Sequence, residues 1–392
     1  MYRTVVIGRG LIGSAATRHL AEMSEGVACI GPDEPQDRTS HQGVFASHYD
    51  EGRMTRINDP EFEWAITAKR SIERYADIEA RSGIKVFTPA GYLGIGSPAT
   101  DYNARCAAVS GPLGARSERL SATEIAKRFA YLSVDEAADG LFETGTAGHI
   151  SPRAMVAAES KLAKQAGAEL IRSAATSIHL TRSGVEVECG DGQIVKAERA
   201  LVATGAFTAA CGLVPEELDF TVYGRTVVLA RVEGLLLDKL KDMPTLIGAE
   251  RGAYILPPIR YADGLSYLKM GIGTETDPRM RNLGQLQNWF KSAGSEDNRV
   301  EFMAFLKNLI PELEAVSHWH TDTCAATQTA SKLPVIDFVE PGRLAVAVGG
   351  NGKGAKGADD WGWIAAQMLE GNGEASPVEL SKLAYIGGRG DQ

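Results

Sequence analysis

At 392 residues, with 44% apolar and 23% charged side chains, the chain is long enough for two packed domains and has an ordinary globular composition. Its formal net charge of −9 argues against nucleic acid or an anionic membrane surface as a partner, and no apolar run reaches the length of a membrane span. Cys29, Cys106, Cys189, Cys211 and Cys324 contain no CxxC pair, which fits reduced thiols in a cytoplasm. His318 and His320 find no companion ligands, so no metal site is expected.

In chain order, an apolar strand over residues 4–7 begins almost at once, so no signal peptide is expected. It runs into Gly8-Arg9-Gly10-Leu11-Ile12-Gly13. An amphipathic helix follows to about Met23, and Val27–Ile30 reads as a second strand. That is the β–turn–α–β setting a dinucleotide fingerprint requires. Gly8 permits the tight turn, Gly10 lets a pyrophosphate approach the backbone, and Gly13 lets helix and strand pack closely. The helix N-terminus, at Leu11 and Ile12, offers free N–H groups to phosphates. Two positions depart from the usual pattern. Arg9 stands where a small residue is common. The second strand ends on Gly31, where an acidic group normally meets the ribose hydroxyls. Asp33, two residues on, either takes that role or is an ordinary loop carboxylate.

A polar, glycine-containing segment over 32–58 is long for a structureless loop, which points to a functional one. A helix is predicted over 60–82, with Phe62, Ile66, Ile72 and Tyr75 as its apolar positions. Strands follow at 85–87 and 92–95. Ser121 to Glu124 has the shape of a capping box, and Ser151-Pro152 starts a helix that Gly167 stops. Residues 169–171, 175–180, 185–189 and 200–203 read as strands, with Asp191-Gly192 as a hairpin turn. The stretch 220–273 is β-rich, and a helix over 300–310 precedes Pro311. A last strand, 344–348, runs into a glycine-rich loop, and a helix over 361–369 follows. Strand, glycine loop and helix at both chain ends predict a mixed α/β fold. A Rossmann-like nucleotide domain is assembled from 1–82, 145–215 and 322–392, and a β-rich substrate domain from 83–144 and 216–321 is inserted in it.

Near the C-terminus, Cys324 opens Ala325-Ala326-Thr327-Gln328-Thr329, an apolar run closes on Asp337, and Gly349-Gly350-Asn351-Gly352-Lys353-Gly354-Ala355-Lys356 follows. Together with Gly8 to Gly13, the run from Ser47 to Arg56, Tyr254 and Lys269-Met270-Gly271, these residues resemble the FAD-dependent D-amino-acid-oxidase superfamily. Within it they resemble the monomeric sarcosine oxidase and N-methyl-amino-acid oxidase family. The resemblance implies FAD as cofactor, held by Gly8, Gly10, Leu11, Ile12, Gly13, Asp33, Ser47, Gly350, Gly352 and Lys353. Cys324 matches the position that forms a thioether to the flavin. The other reading of a free cysteine is a small buried hydrophobe. Arg56 and Lys356 match positions that clamp the substrate carboxylate, Tyr254 falls with them on the substrate side, and Arg53 matches a position beside the flavin. Lys269, inside an apolar strand, matches a lysine that reaches flavin N5 through water and assists oxygen reduction. Lys269 and Arg53 are therefore the catalytic candidates.

Three positions depart from the family on the substrate side. Its histidine four residues after the lysine is Gly273, its aromatic two residues after the cysteine is Ala326, and its histidine in the last glycine loop is Lys353. A larger and differently charged pocket is expected. The implied reaction oxidises the C–N bond of a small anionic amine to an imine, with molecular oxygen as acceptor and hydrogen peroxide as product. Two alternatives stay open: a dehydrogenase of the same fold with another acceptor, and a flavoprotein subunit without catalysis. The expected location is the cytoplasm. The oligomeric state is left open, with a monomer favoured.

Overall fold

The computed structural model describes residues 1–214 and 218–385; the domain boundary expected at 215/216 lies outside the described residues. Five strands run parallel through one sheet, in the order Glu169–Ile171, Val27–Ile30, Tyr2–Ile7, Ile194–Val202 and Leu344–Val348. Their side chains alternate between two buried faces. Val6, Cys29, Leu201 and Ala345 turn to one, and Val5, Ala28, Ala200 and Val346 to the other. Strands covered on both sides are therefore apolar throughout, as their sequences are. Helices Leu11–Met23, Phe62–Ser82, Pro152–Gln165 and Ala358–Leu369 cover the first face through Leu20, Trp64, Ala163 and Trp361. The second packs with Val185, Val187 and Val195 of an antiparallel extension of the sheet. Arg18 pairs with Glu159 and Asp359, and Arg74 with Asp359 and Asp360, so buried charges tie the four helices together.

A second sheet of nine strands is built on Phe220–Arg231, which pairs antiparallel with Trp319–Thr329 on one side and Ser266–Gly271 on the other. Its core lies under helix Glu296–Leu309, through Phe302 and Leu306 against Leu246, Ile255, Leu268 and Met270. Ser295 caps that helix by accepting from Asn298 N at 3.2 Å, and acidic Glu296 and Asp297 suit its first turn. The helix thus starts a turn earlier than its apolar residues alone suggest.

Two expectations need correction. The boundary drawn at 322 cuts strand Trp319–Thr329, which pairs with Phe220–Arg231, so Cys324 belongs to the second sheet. The buried face of helix Phe62–Ser82 runs through Trp64, Ala68, Tyr75 and Ile78, whereas Phe62 is 46% exposed and Ile66 and Ile72 are half-buried. Trp64 meets Trp361 edge to face at 5.4 Å, and that contact sets the rotation of the helix. The capping box at Ser121 and the turn at Gly192 (φ +86°) are present. The segment from 32 to 52 has neither helix nor strand, and Arg53–Thr55 ends it in a small three-stranded sheet.

Candidate active site

The parallel strands end together at a cavity of 580 Å³. Ile7 and Gly8, Ile30 and Gly31, Ala203 and Thr204, and Val348 and Gly349 all border it. Open α/β sheets bind ligands at this edge, outside the carboxyl ends of their strands. The second sheet closes the cavity with Arg225, Tyr254, Ile272, Gly273 and Cys324.

The first wall is a cradle that only glycine permits. Gly8 has φ +108°, and a Cβ there would stand 2.4 Å from the Ala203 carbonyl oxygen. A Cβ on Gly13 would stand 1.8 Å from the carbonyl oxygen of Gly8. Gly10 has nothing within 4 Å of its would-be Cβ, so the backbone is open to a ligand there. Helix Leu11–Met23 starts at Gly10 with no side chain on its first N–H groups, which leaves them for phosphate oxygens.

The opposite wall is the loop after Leu344–Val348, where Gly349 (φ +89°), Asn351 (φ +49°) and Gly352 (φ +70°) turn the chain. The strand bearing Cys324 pins it. Thr327 Oγ1 accepts from Gly350 N at 3.2 Å, the Thr327 carbonyl accepts from Asn351 N at 2.8 Å, and Thr329 N donates to Asn351 Oδ1 at 3.0 Å. Ser47 Oγ donates to the Ala325 carbonyl at 2.9 Å, which brings the 32–52 segment to the same place. Cys324 is half-buried on this wall, opposite Arg225 in register, and its carbonyl accepts from Trp289 Nε1 at 3.0 Å. Glycine turns, an uncapped helix N-terminus and a long cavity between two sheets fit a dinucleotide flavin.

Arg56, Lys353 and Lys356 border the cavity and share one buried carboxylate, Asp59. Lys356 Nζ donates to Asp59 Oδ2, Lys353 Nζ lies 3.3 Å from Asp59 Oδ1 and 2.8 Å from Glu61, and Arg56 Nη2 lies 3.7 Å from Asp59. Arg56 also donates to the Tyr102 hydroxyl at 3.1 Å and stacks 4.8 Å from the Tyr92 ring centre, while its buried Nε has no partner. Burial alone would raise the Asp59 carboxyl, but Lys356, Lys353 and Arg56 overcome it and hold it at about 2. Burial, helped by Arg56 and Lys353 and opposed by Asp59, pushes the Lys356 ammonium down to about 8.

Lys269 is buried and does not border the cavity. It donates to Asp50 Oδ2 and, at 2.5 Å, to the Gly52 carbonyl. Asp50 also pairs with Arg53, which does border the cavity, and accepts from the Tyr261 hydroxyl at 2.9 Å. Burial and the Arg53 guanidinium push the Lys269 ammonium well below its ordinary range. Tyr254 borders the cavity with its hydroxyl over Gly271, where a Cβ would stand 2.6 Å away. Asp33 lies outside the cavity lining, paired with Arg9 and, at 3.3 Å, with Arg172.

The family model for FAD-dependent oxidoreductases matches residues 3–368. The chain belongs to that family. N-methyl-L-tryptophan oxidase of Salmonella agona (strain SL483) is 24% identical over 393 residues, which cover 98% of this chain and 99% of that one. Monomeric sarcosine oxidase of Streptomyces avermitilis is 32% identical over 172 residues, so the match spans 43% of this chain and 42% of the relative. Among solved structures, L-proline dehydrogenase from P. horikoshii superposes with a TM-score of 0.79 at 18% identity, covering 97% of both chains.

Sequence reasoning passed over several residues on and behind the cavity wall of this FAD-dependent oxidoreductase. Asp59 and Asp50 hold its cations, yet each meets a lysine more than two hundred positions away, so no local spacing announces them. His48 borders the cavity with an unpartnered buried Nδ1, and burial pushes its ring down to about 4, which keeps it neutral. Gly273 opens no extra room, because a Cβ there would meet Arg225 Nη1 at 2.9 Å.

Proposed function

We propose that this FAD-dependent oxidoreductase oxidises the C–N bond of a small carboxylate-bearing amine to an imine, with molecular oxygen as acceptor and hydrogen peroxide as the second product. The observation that carries the proposal is that Arg56 and Lys356 converge on the same cavity as Cys324 and the glycine turns. Bound FAD supplies the two-electron oxidant. Arg56 offers a fixed planar fork to the substrate carboxylate, and Lys356 adds a point charge. The three cations Arg56, Lys353 and Lys356 face the two carboxylates Asp59 and Glu61, which leaves one positive charge for the substrate to neutralise. Tyr254 closes the amine side. Arg53, with Lys269 behind it, presents positive charge where oxygen gains electrons. The position of Cys324 on the cavity wall supports a thioether to the cofactor. The relatives named for N-methyl-L-tryptophan and sarcosine support an N-substituted amino acid as the substrate class. No helix among the described residues is long and apolar enough to cross a membrane.

The test is a panel of N-methyl, cyclic and D-amino acids, read by bleaching of the yellow enzyme without air and by peroxide release in air. An enzyme that no panel member bleaches rejects the proposal. One observation favours a second reading: Lys269 stops short of the cavity wall, as a dehydrogenase with another acceptor would permit. Fast bleaching followed by slow recovery in air selects it.

A further inference from the structure

The second parallel strand ends on Gly31 without a carboxylate, and Asp33 does not replace one: its side chain is 54% exposed, outside the cavity lining, and ion-paired with Arg9. The space where an acidic side chain would leave position 31 is filled. A Cβ on Gly31 would stand 2.5 Å from Arg9 Cβ and 2.7 Å from Arg9 N, so the close approach of the glycine turn leaves no room for a side chain at 31. Arg9 itself borders the cavity, its side chain is 11% exposed, and its buried Nε has no partner. Its Nη2 is fixed by Asp33, which Arg172 holds in turn at 3.3 Å. The turn thus leaves position 31 without an acceptor and sets Arg9 beside it on the cavity lining.

We propose that Arg9 is a cofactor-binding residue that recognises the adenosine ribose of the dinucleotide by donating to its hydroxyl oxygens, in place of an accepting carboxylate. A carboxylate at this point accepts from the ribose hydroxyls, whereas a guanidinium can only donate. The ribose hydroxyls serve either way, since each is both donor and acceptor. Asp33 and Arg172 act as the brace that holds Arg9 on the cavity lining. The proposal rests on FAD being the cofactor.

The test measures binding to full-length apoprotein carrying Cys324→Ser, so that flavin binding is reversible. FAD, FMN, ADP and 2′,3′-dideoxy-ADP are the probes. Arg9→Gln weakens FAD and ADP by about tenfold to a hundredfold, the range of one lost charge-assisted hydrogen bond, and leaves FMN unchanged. Without any substitution at position 9, dideoxy-ADP binds more weakly than ADP, so the proposal stays testable even where the Arg9 variants do not fold. Equal binding of ADP and dideoxy-ADP overturns it and moves Arg9 to the phosphates. FAD binding that is unchanged in Arg9→Gln makes Arg9 a structural ion pair and also overturns it. Apoprotein that takes up no FAD at all refutes the cofactor reading instead, which is a distinct result.

Discussion

The charge on Lys356 sets a pH limit on carboxylate binding. Burial, with Arg56 and Lys353, holds its ammonium at about 8 against an ordinary 10.5. A carboxylate that needs the protonated form binds with a constant that is flat below that value. Above it the dissociation constant rises tenfold per unit, until the Lys356 pKa of the complex is reached. A charge-assisted hydrogen bond contributes about 1.5–3 kcal/mol. At about 1.36 kcal/mol per unit, that places the plateau one to two units higher, a loss of roughly tenfold to a hundredfold. Amine substrates titrate in the same range, so the ligand of choice is a carboxylate without an amine, followed as a competitive inhibitor or by the flavin spectrum. Lys356→Met binds with the weak constant throughout and has no rise. The depressed pKa has the opposite consequence for the free protein. The folded state releases the proton before the unfolded state does, so stability is diminished below pH 8 and recovers toward 10.5. Ligand-free enzyme thus gains stability in the window where it loses the ligand. A dissociation constant equal at about pH 7 and about pH 9.5, or a Lys356→Met variant that retains the rise, refutes the assignment of Lys356 to the carboxylate.

Asp59→Asn leaves Arg56, Lys353 and Lys356 without their shared counter-charge and lowers stability by about 3–5 kcal/mol, read as a drop in the urea midpoint; an unchanged midpoint rejects Asp59 as their anchor. In the unsubstituted protein its contribution is complete above the ordinary carboxyl value of 3.8 and is lost as pH falls through about 2. Acid precipitation of the purified enzyme gives a yellow pellet and Cys324→Ser a yellow supernatant; a colourless pellet from the unsubstituted enzyme rejects the thioether. Lys269→Met slows recovery of bleached enzyme in air by about a hundredfold or more while anaerobic bleaching by substrate changes little; equal slowing of both steps removes Lys269 from the oxygen reaction.

The parallel sheet was legible because its signals are local. Apolar runs at 4–7 and 344–348 each lead into a glycine turn and then a helix, Leu11–Met23 after the first and Ala358–Leu369 after the second. The sheet membership of Cys324 was not legible. Thr323 to Thr329 is a run of small and polar residues that reads as strand in either sheet, and only the long antiparallel pairing with Phe220–Arg231 decides between them. The carboxylates that organise the cations were not legible either. Asp59 looks like a turn residue before Pro60, and its meaning comes from Lys353 and Lys356 at the far end of the chain. Ion pairs of that sequence separation leave no periodicity to detect.

Gly31 and Gly273 carry the same lesson about absent side chains. Each stands where a ligand-facing residue was expected: from the sequence Gly31 reads as a missing carboxylate and Gly273 as added space. In the fold an arginine lies against each: Arg9 at 2.5 Å from a would-be Cβ at 31, and Arg225 at 2.9 Å from one at 273. Each arginine is held from behind by a carboxylate, Asp33 for Arg9 and Asp277 for Arg225. The cavity therefore carries a braced arginine beside each glycine, and neither position adds free volume. A chain with a formal charge of −9 thus keeps a cationic cavity, which suits an anionic cofactor and an anionic substrate. Enlarging the pocket toward bulkier amines then requires shortening Arg225 rather than exploiting Gly273, because the glycine alone leaves no volume to use.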